Sequence, residues 1–243
     1  LKPDSEIVKF ASVLPQKATM ANFQEVLGTP EEIPLLRWFL NSVGIATATS
    51  ALVLTVSALS AYAFSRLPLP GKKWVYPVVL GTLMVPGQIL LVPVYLLLNK
   101  LGWLDTPLSL IVPAAGGAFG FFMLYSFFTS LPRELEEAAE LDGCSRFGIF
   151  WNVVVPLSKA PLAALAIFTF VGSWNDFLGP LVFLDSVDHY TLPVGIALFQ
   201  SSYASEYGLT LAAGTLCTVP TILAFLIFQR HILAGMAASG MKE

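Results

Sequence analysis

The amino-acid sequence predicts an all-α polytopic membrane protein, and two observations carry that prediction. The 243 residues are 56% hydrophobic and only 12% charged, whereas a soluble domain carries about 25% charged residues. Long apolar runs recur along the chain without the alternation of polar and apolar residues that marks outer-membrane barrel strands. Because lipid cannot satisfy an open backbone, such runs are expected to cross the membrane as helices.

Five segments are long and apolar enough to cross about 30 Å of hydrocarbon. The predicted spans are 38–64, 75–98, 108–130, 161–184 and 209–229. They divide the chain into an extracytoplasmic N-terminal segment (1–36), a transmembrane domain (37–231) that includes a cytoplasmic loop (131–160), and a cytoplasmic C-terminal tail (232–243).

The basic residues predict the orientation of these spans. Alternating spans place eight Lys and Arg residues on one face, which the positive-inside rule makes cytoplasmic. The opposite face carries Lys100 between spans, and four more basic residues lie near the N-terminus, where the rule is weaker. The C-terminus is therefore predicted to be cytoplasmic. The eight cytoplasmic residues are Arg66, Lys72, Lys73, Arg133, Arg146, Lys159, Arg230 and Lys242.

Helix-disturbing residues interrupt several predicted spans. Proline frees a backbone carbonyl and bends a helix, which suits a path that must open and close. The alternative is that Pro and Gly are simply more frequent in membrane helices, and the sequence leaves both interpretations open. The residues concerned are Pro86, Pro93, Pro113, Gly116, Gly117, Gly120, Pro180 and Pro220.

The loop between the third and fourth spans is predicted to be helical. Ser130 precedes a Pro and then acidic residues, a pattern typical of a capped helix start. Gly143 is expected to end this helix in the left-handed conformation. A second helix is predicted from about Ser145 to Val155, ending near Pro156. The loop is thus a short helix, a turn and another short helix on the membrane surface.

Two motifs in this region carry a family resemblance. Glu137-Ala138-Ala139 is followed by Gly143, then nine residues, then Val153-Val154-Val155-Pro156. This spacing resembles the E-A-A loop of binding-protein-dependent ABC importer permeases, with Val at both aliphatic positions where Ile and Leu are commoner. Trp174-Asn175-Asp176-Phe177 resembles a signature of the carbohydrate-type permeases, and the chain is similar to the smaller permease of maltose transporters. The resemblance implies a type I importer transmembrane domain.

In that family the loop docks onto a separate ATP-hydrolysing subunit. The resemblance therefore implies that Glu137, Ala138, Ala139, Leu141, Asp142 and Gly143 form a coupling helix and turn. The two Ala give a low-profile face for close approach, and the Gly permits a sharp turn. The alternative is an amphipathic helix that rests on lipid. Five acids and one Arg between residues 133 and 142 are a poor match for anionic headgroups, which favours a protein partner.

The resemblance also implies the partners and the location. An ATP-binding cassette ATPase dimer, a second permease subunit and an extracytoplasmic solute-binding protein are expected, in a bacterial or archaeal plasma membrane. The net charge of −3 gives no basic surface for nucleic acid. Family members carry one further span before a segment like 1–27, so a first span is expected to precede residue 1. The alternative is a five-span protein with an external N-terminus.

Trp174, Asn175, Asp176 and Gln88 are the candidates for the substrate path or gate. Asp176 is the only carboxylate placed within a predicted span. An ionised acid at bilayer centre costs about 2.5–3.5 kcal/mol, so this side chain is expected to face protein or water. It would either hydrogen-bond a sugar hydroxyl or hold a gate, or else make a structural hydrogen bond at the break before Pro180.

The sequence lacks the motifs of an enzyme. No Walker A sequence is present, because Arg66 occupies the position of its first Gly relative to Gly71-Lys72. No catalytic residue, metal site or cofactor site is predicted, and ATP and Mg²⁺ are expected in the partner ATPase. The resemblance implies an ATP-driven, binding-protein-dependent importer of a sugar or oligosaccharide, in which the loop 134–155 couples ATP hydrolysis in the partner to alternating access. Two alternatives stay open: an ion-gradient-driven transporter that uses Asp176, and a membrane scaffold whose loop recruits a cytosolic protein.

Overall fold

A computed structural model describes residues 19–28, 34–202, 208–216, 218–219 and 222. These residues form helices and no strand. Short 3₁₀ turns (Thr82–Met84, Gly87–Leu90 and Val187–His189) and one π-helical stretch (Phe150–Val154) connect the α-helices, and residues 208–216 are also helical. The α-helices are α1 (Ala21–Gly28), α2 (Leu35–Arg66), α3 (Lys72–Gly81), α4 (Leu91–Leu101), α5 (Leu108–Ala114), α6 (Ala118–Ser130), α7 (Glu134–Leu141), α8 (Arg146–Ile149), α9 (Val155–Leu157), α10 (Lys159–Trp174), α11 (Leu178–Phe183) and α12 (Leu192–Ser202).

Among the described residues, two helical segments are long and apolar enough to cross a membrane. They are Leu35–Arg66 and Leu108–Ser130, the latter formed by α5 and α6 together. Two bent helix pairs raise the number to four if each pair is one span: Lys72–Met84 with Gly87–Leu101, and Arg146–Leu157 with Lys159–Trp174. The predicted span 209–229 lies largely outside the described residues, so the count of five stays a prediction.

Two predicted spans are not straight helices. The chain turns by 96° at Val85 and Pro86, between the halves of the predicted span 75–98. The predicted span 161–184 is also divided, because α10 ends at Trp174 and α11 begins only at Leu178. Proline explains the first break, since it removes a donor and clashes with the preceding turn.

Helix α2 is the centre of the fold, and α5, α6 and α10 pack against it. Small buried residues such as Ser57 and Ala61 give α2 a flat face that lets other helices approach closely. At its C-terminal end, Tyr62 joins a buried cluster with Phe128 and Phe150. This cluster connects α2 and α6 to the helices of the predicted cytoplasmic loop.

The N-terminal end of α2 is tied to the segment between α11 and α12. The indole N–H of Trp38 donates to the carbonyl of Val187 at 2.7 Å. The amide of Asn41 donates to the carbonyls of Asp188 and Tyr190 at 2.9 and 3.0 Å. These bonds hold an irregular stretch of backbone whose polar groups would otherwise lack partners.

Candidate functional site

The first helix of the predicted cytoplasmic loop, α7, begins at Glu134. Its N-cap residue is Arg133, and no side chain caps it. The prediction that Ser130 caps this helix is wrong. Ser130 is the last residue of α6, and its hydroxyl donates to the carbonyl of Phe127 at 2.7 Å. The chain is extended at Leu131, so Ser130 lies too far from the α7 amides to cap them. Acidic residues in the first turn stabilise the positive end of the helix dipole instead.

The turn after α7 has the left-handed glycine that the sequence predicts. Gly143 has a φ of +85°. Its N–H donates to the carbonyl of Glu140 at 3.0 Å, and the next N–H, of Cys144, donates to the carbonyl of Ala139 at 2.9 Å. This pair of bonds is a Schellman motif, which satisfies the last carbonyls of the helix.

The second half of the loop is also helical, close to the predicted range. The Ser145 hydroxyl accepts the N–H of Gly148 at 3.1 Å and so caps α8. The helix continues through the π-helical stretch to Leu157 and meets α10 at an angle of 80°. The π-helical stretch brings Phe150 and Val154 inward, where both are buried in the cluster beside α2.

One face of this helix–turn–helix is open to solvent. We define the coupling surface as Leu135, Glu137, Ala138, Leu141, Asp142, Gly143 and Phe147, all of which are exposed. Its apolar members are unusually open, since Leu141 is 91% exposed and Phe147 63%. Ala139 differs from the other predicted docking residues, because it is half-buried against the core cluster. The surface combines apolar side chains, a small residue and acids, which suits a protein partner better than water.

The opposite face of α7 is anchored by a buried ion pair. Glu136 is 6% exposed, and its Oε1 lies 2.7 Å from Nε of Arg66 at the end of α2. Arg66 Nη2 also donates to the carbonyls of Phe128 and Leu131, at 2.6 and 2.8 Å. Glu136 is not among the residues predicted from the sequence, where Arg66 was not assigned a contact. A basic residue at the end of a span, next to a charge-dense loop, is the signal that could have indicated the pair.

The two helices of the loop are joined to each other and to α2. The Tyr62 hydroxyl donates to the carbonyl of Arg146 at 3.0 Å. The guanidinium of Arg146 forms an ion pair with Glu140 near the end of α7. The helix–turn–helix is therefore a connected unit seated on α2.

A second feature is a cavity of about 360 Å³ between α2, α5, α6, α10 and α11. Of the candidates for the substrate path, Asp176 lines it. Trp174 is buried in the core and contacts the rings of Phe39 and Phe170. Asn175 donates to the carbonyl of Val171 at 2.9 Å, and Gln88 is exposed in a 3₁₀ turn. These three are not among the described residues that line the cavity.

The motif residues beside the cavity thus have different surroundings. Asp176 Oδ1 accepts the N–H of Gly179 at 3.3 Å, in the first turn of α11. This contact is the structural hydrogen bond at the break before Pro180 that is one of the two predicted roles of Asp176. Asp176 also lies on the cavity wall, and its role in the substrate path or as a gate stays a prediction.

Comparison with solved structures places the fold. A bacterial ABC transporter involved in the import of the acidic polysaccharide alginate contains a chain that matches with a TM-score of 0.78. The match covers 94% of this chain and 85% of the other, at 20% sequence identity. At that identity the likeness shows a common fold.

Comparison of sequences shows the family. The model of the binding-protein-dependent transport system inner membrane component matches residues 54–237. The arabinooligosaccharides transport system permease protein AraQ of Halalkalibacterium halodurans is 35% identical over 99% of this chain and 87% of its own length. The lactose transport system permease protein LacG of Rhizobium radiobacter is 36% identical over 86% and 76%, and the diacetylchitobiose uptake system permease protein NgcG of Streptomyces coelicolor 38% over 84% and 68%. The chain therefore belongs to the binding-protein-dependent transport system inner membrane components, the multi-pass permeases of ABC importers.

Proposed function

We propose that this permease docks an ATP-binding cassette ATPase dimer on its coupling surface and imports a sugar or oligosaccharide. The observation that carries the docking proposal is the asymmetry of α7. Its outer face leaves Leu141 91% exposed, whereas its inner face holds Glu136 in a buried ion pair. A helix that is fixed on one side and apolar on the open side is suited to receive a partner and pass on its movement.

The route of that movement starts at the Arg66–Glu136 pair. Closure of the ATPase dimer would push α7, and α7 would carry Arg66 at the end of α2 with it. Separating the two charges would leave each buried without its partner, which is strongly unfavourable. Because α6 and α10 pack on α2, a shift of α2 would change the packing of the spans and switch the path between inward-facing and outward-facing states.

The remaining partners follow from this arrangement. A second permease subunit would complete the path, and an extracytoplasmic solute-binding protein would deliver the sugar. ATP and Mg²⁺ would belong to the ATPase subunits, so this chain itself performs no catalysis. The loop and C-terminus would face the cytoplasm of a bacterial or archaeal cell. The sugar proposal is supported by the named substrates of relatives, which are arabinooligosaccharides, lactose and diacetylchitobiose.

Co-purification tests the docking. The permease is expressed with the other products of its operon, solubilised in detergent, and compared with the Ala138→Asp variant. Ala138 is exposed, so the new carboxylate meets water in the free protein but an apolar contact in the complex. Ala21→Asp is the matched control, because it makes the same change at an exposed position in the predicted extracytoplasmic segment.

We expect the ATPase to co-purify with the wild type and with Ala21→Asp, and to be lost from Ala138→Asp. Equal recovery with both variants would exclude the coupling surface as the docking site. Absence of an ATPase from every sample, together with uptake driven by an ion gradient, would favour the secondary transporter that uses Asp176.

A further inference from the structure

The wall of the cavity beside α2 contains two buried hydroxyl groups that make no hydrogen bond within the described part of the protein. Thr49 and Thr191 are each 3% exposed and line the cavity. Their hydroxyl oxygens have no hydrogen-bond partner among the described residues. Neighbouring hydroxyls behave differently: Ser50 donates to the carbonyl of Ala46 at 2.8 Å, and Thr55 to that of Ala51 at 2.7 Å. Buried polar groups are nearly always paired with protein or with water, so these two hydroxyls are available to pair with a molecule that enters the cavity.

The other residues that line the cavity indicate the charge and polarity of the molecule that it would bind. Thr169, Ser173 and Asp176 add further polar groups, and the described lining residues include no Lys, Arg or His. A carboxylate without a basic partner repels anions and accepts hydrogen bonds from hydroxyl groups. The ring of Phe119 is half exposed at the same cavity. An aromatic ring covers the apolar face of a sugar, while hydroxyl groups of the protein pair with its edge.

The volume is also informative. Ligand sites measure about 300–1,000 Å³ and combine a mostly apolar wall with a few polar groups. At about 360 Å³, with apolar residues such as Ile45, Val53 and Leu165 in its wall, the cavity lies at the small end of that range. It fits one sugar ring rather than a whole oligosaccharide.

We propose that this cavity binds one neutral sugar unit of the transported molecule within this chain, with Thr49 and Thr191 paired to its hydroxyl groups and Asp176 accepting from another. This inference rests on the proposed function and deepens it, because it gives the permease a substrate site of its own. It also distinguishes the substrate from an acidic sugar, which a carboxylate without a basic partner among the described lining residues would repel.

The first experiment removes the hydroxyls without changing the shape. The complete transporter is reconstituted in liposomes, and uptake of arabinotriose, lactose and diacetylchitobiose is measured at saturating solute-binding protein. The Thr49→Val/Thr191→Val variant should transport on the order of tenfold more slowly, since two hydrogen bonds to the sugar are lost. Thr55→Val is the matched control, because Thr55 is exposed on the same helix. The double variant should unfold at the same or a higher temperature than the wild type, whereas a structural role for the hydroxyls would lower it.

The second experiment detects occupancy directly. Gly172 lines the cavity on α10, and a Cβ there would meet no atom within 4 Å. In a Cys144→Ser/Cys217→Ser background, a Gly172→Cys variant is labelled with a water-soluble methanethiosulfonate reagent. The transported sugar should slow the labelling, and the acidic disaccharide digalacturonate should not. A Gly44→Cys variant is the control, since Gly44 is exposed on α2 and does not line the cavity.

The outcomes separate this inference from the proposed function. Normal uptake by the double Val variant, or labelling of Gly172→Cys that no transported sugar slows, would overturn the cavity site while leaving the importer intact. If digalacturonate slowed the labelling as much as the transported sugar does, the proposal that the site takes a neutral sugar would be wrong. Uptake of none of the three sugars by an assembled, ATP-hydrolysing transporter would overturn the sugar importer and this inference with it.

Discussion

Arg66 Nε lies 2.7 Å from Glu136 Oε1, and the two side chains are 4% and 8% exposed. The pair joins residues that are 70 positions apart in the chain, one at the end of α2 and one in the first turn of α7. Arg66 also holds the carbonyls of Phe128 and Leu131, at the end of α6. A single guanidinium therefore connects two transmembrane helices with the helix that carries the coupling surface.

Glu136→Ala is expected to lower both stability and coupling. Removing one partner of a buried ion pair leaves an uncompensated charge and costs about 3–5 kcal/mol. The measurement is thermal unfolding of the purified permease complex, together with the number of sugar molecules imported per ATP hydrolysed. Glu134→Ala is the matched control: Glu134 also lies in the first turn of α7, is exposed and is not part of the coupling surface, so its unfolding temperature should stay near that of the wild type.

An apolar replacement of both partners tests whether the unpaired buried charge is what lowers the stability of Glu136→Ala. Arg66→Met/Glu136→Leu removes both charges and fills a similar volume, which often restores or raises stability. Arg66→Met also removes the donor to the carbonyls of Phe128 and Leu131, so we expect this variant to unfold above Glu136→Ala but below the wild type. Wild-type stability in Glu136→Ala alone would contradict the assignment of the pair as the anchor of α7.

Close packing of Trp38 against α12 gives a second prediction. A Cβ atom placed on Gly195 would collide with the indole ring of Trp38, and Trp38 is 4% exposed and hydrogen-bonded to the carbonyl of Val187. Gly195→Ala must therefore displace the indole, and overpacking of this kind costs about 1–3 kcal/mol. Thermal unfolding and tryptophan fluorescence measure the change. Gly44→Ala, where a Cβ meets no atom within 4 Å, should leave the fluorescence unchanged and should not lower the unfolding temperature, because Ala is favoured over Gly inside a helix.

Asp105 holds the loop between α4 and α5 to the segment after α11. Its Oδ1 accepts the N–H groups of Asp185 and Ser186 at 3.0 and 2.9 Å, and Nδ1 of His189 lies 3.1 Å away. Burial acts to raise the pKa of Asp105, but the hydrogen bonds from Ser186, Asp185 and His189 outweigh it and lower the pKa below its ordinary value. The ionised carboxylate is thus the form that the fold stabilises.

The sign of the pH dependence follows. A lowered pKa in the folded state contributes stability that is fully present above the ordinary pKa of about 3.9 and is lost as the pH falls below it. Asp105→Asn should unfold at a lower temperature than the parent protein at pH 6, and the difference should shrink between about pH 5 and pH 3. Both proteins carry His189→Gln, so they differ only at position 105. A difference that grows toward pH 3 would contradict the assigned direction.

Much of the fold could be predicted from local sequence, because lipid imposes strict rules on the backbone. The first predicted span, 38–64, agrees with α2 to within three residues at each end, since an apolar run in lipid has no stable alternative to a helix. The left-handed turn at Gly143 could also be predicted from the sequence, because few residues other than glycine adopt a φ of +85°. These features depend on neighbours in the chain.

The contacts that position the site could not be predicted in this way. Thr49 and Thr191 line one cavity although they are 142 positions apart in the chain, and neither belongs to a motif. Trp174 does belong to one, yet it packs in the core while Asp176, two residues later, faces the cavity, because α10 ends between them. Such differences depend on where helices end in three dimensions, which residue spacing does not determine.

The final prediction concerns Gly143→Trp, which tests the turn of the coupling surface. Gly143 has a φ of +85°, and a Cβ there would meet no atom within 4 Å. The indole would therefore project outward into the space that an ATPase must occupy, while the core of the permease stays as it is. We expect normal membrane insertion, measured by yield and elution volume in detergent, together with loss of ATPase co-purification and of uptake. Backbone strain alone is controlled by Gly143→Asn, because Asn tolerates the left-handed conformation and adds little bulk, so this variant should retain most of the bound ATPase. Normal transport by a well-expressed Gly143→Trp variant would show that the turn does not lie in the docking interface.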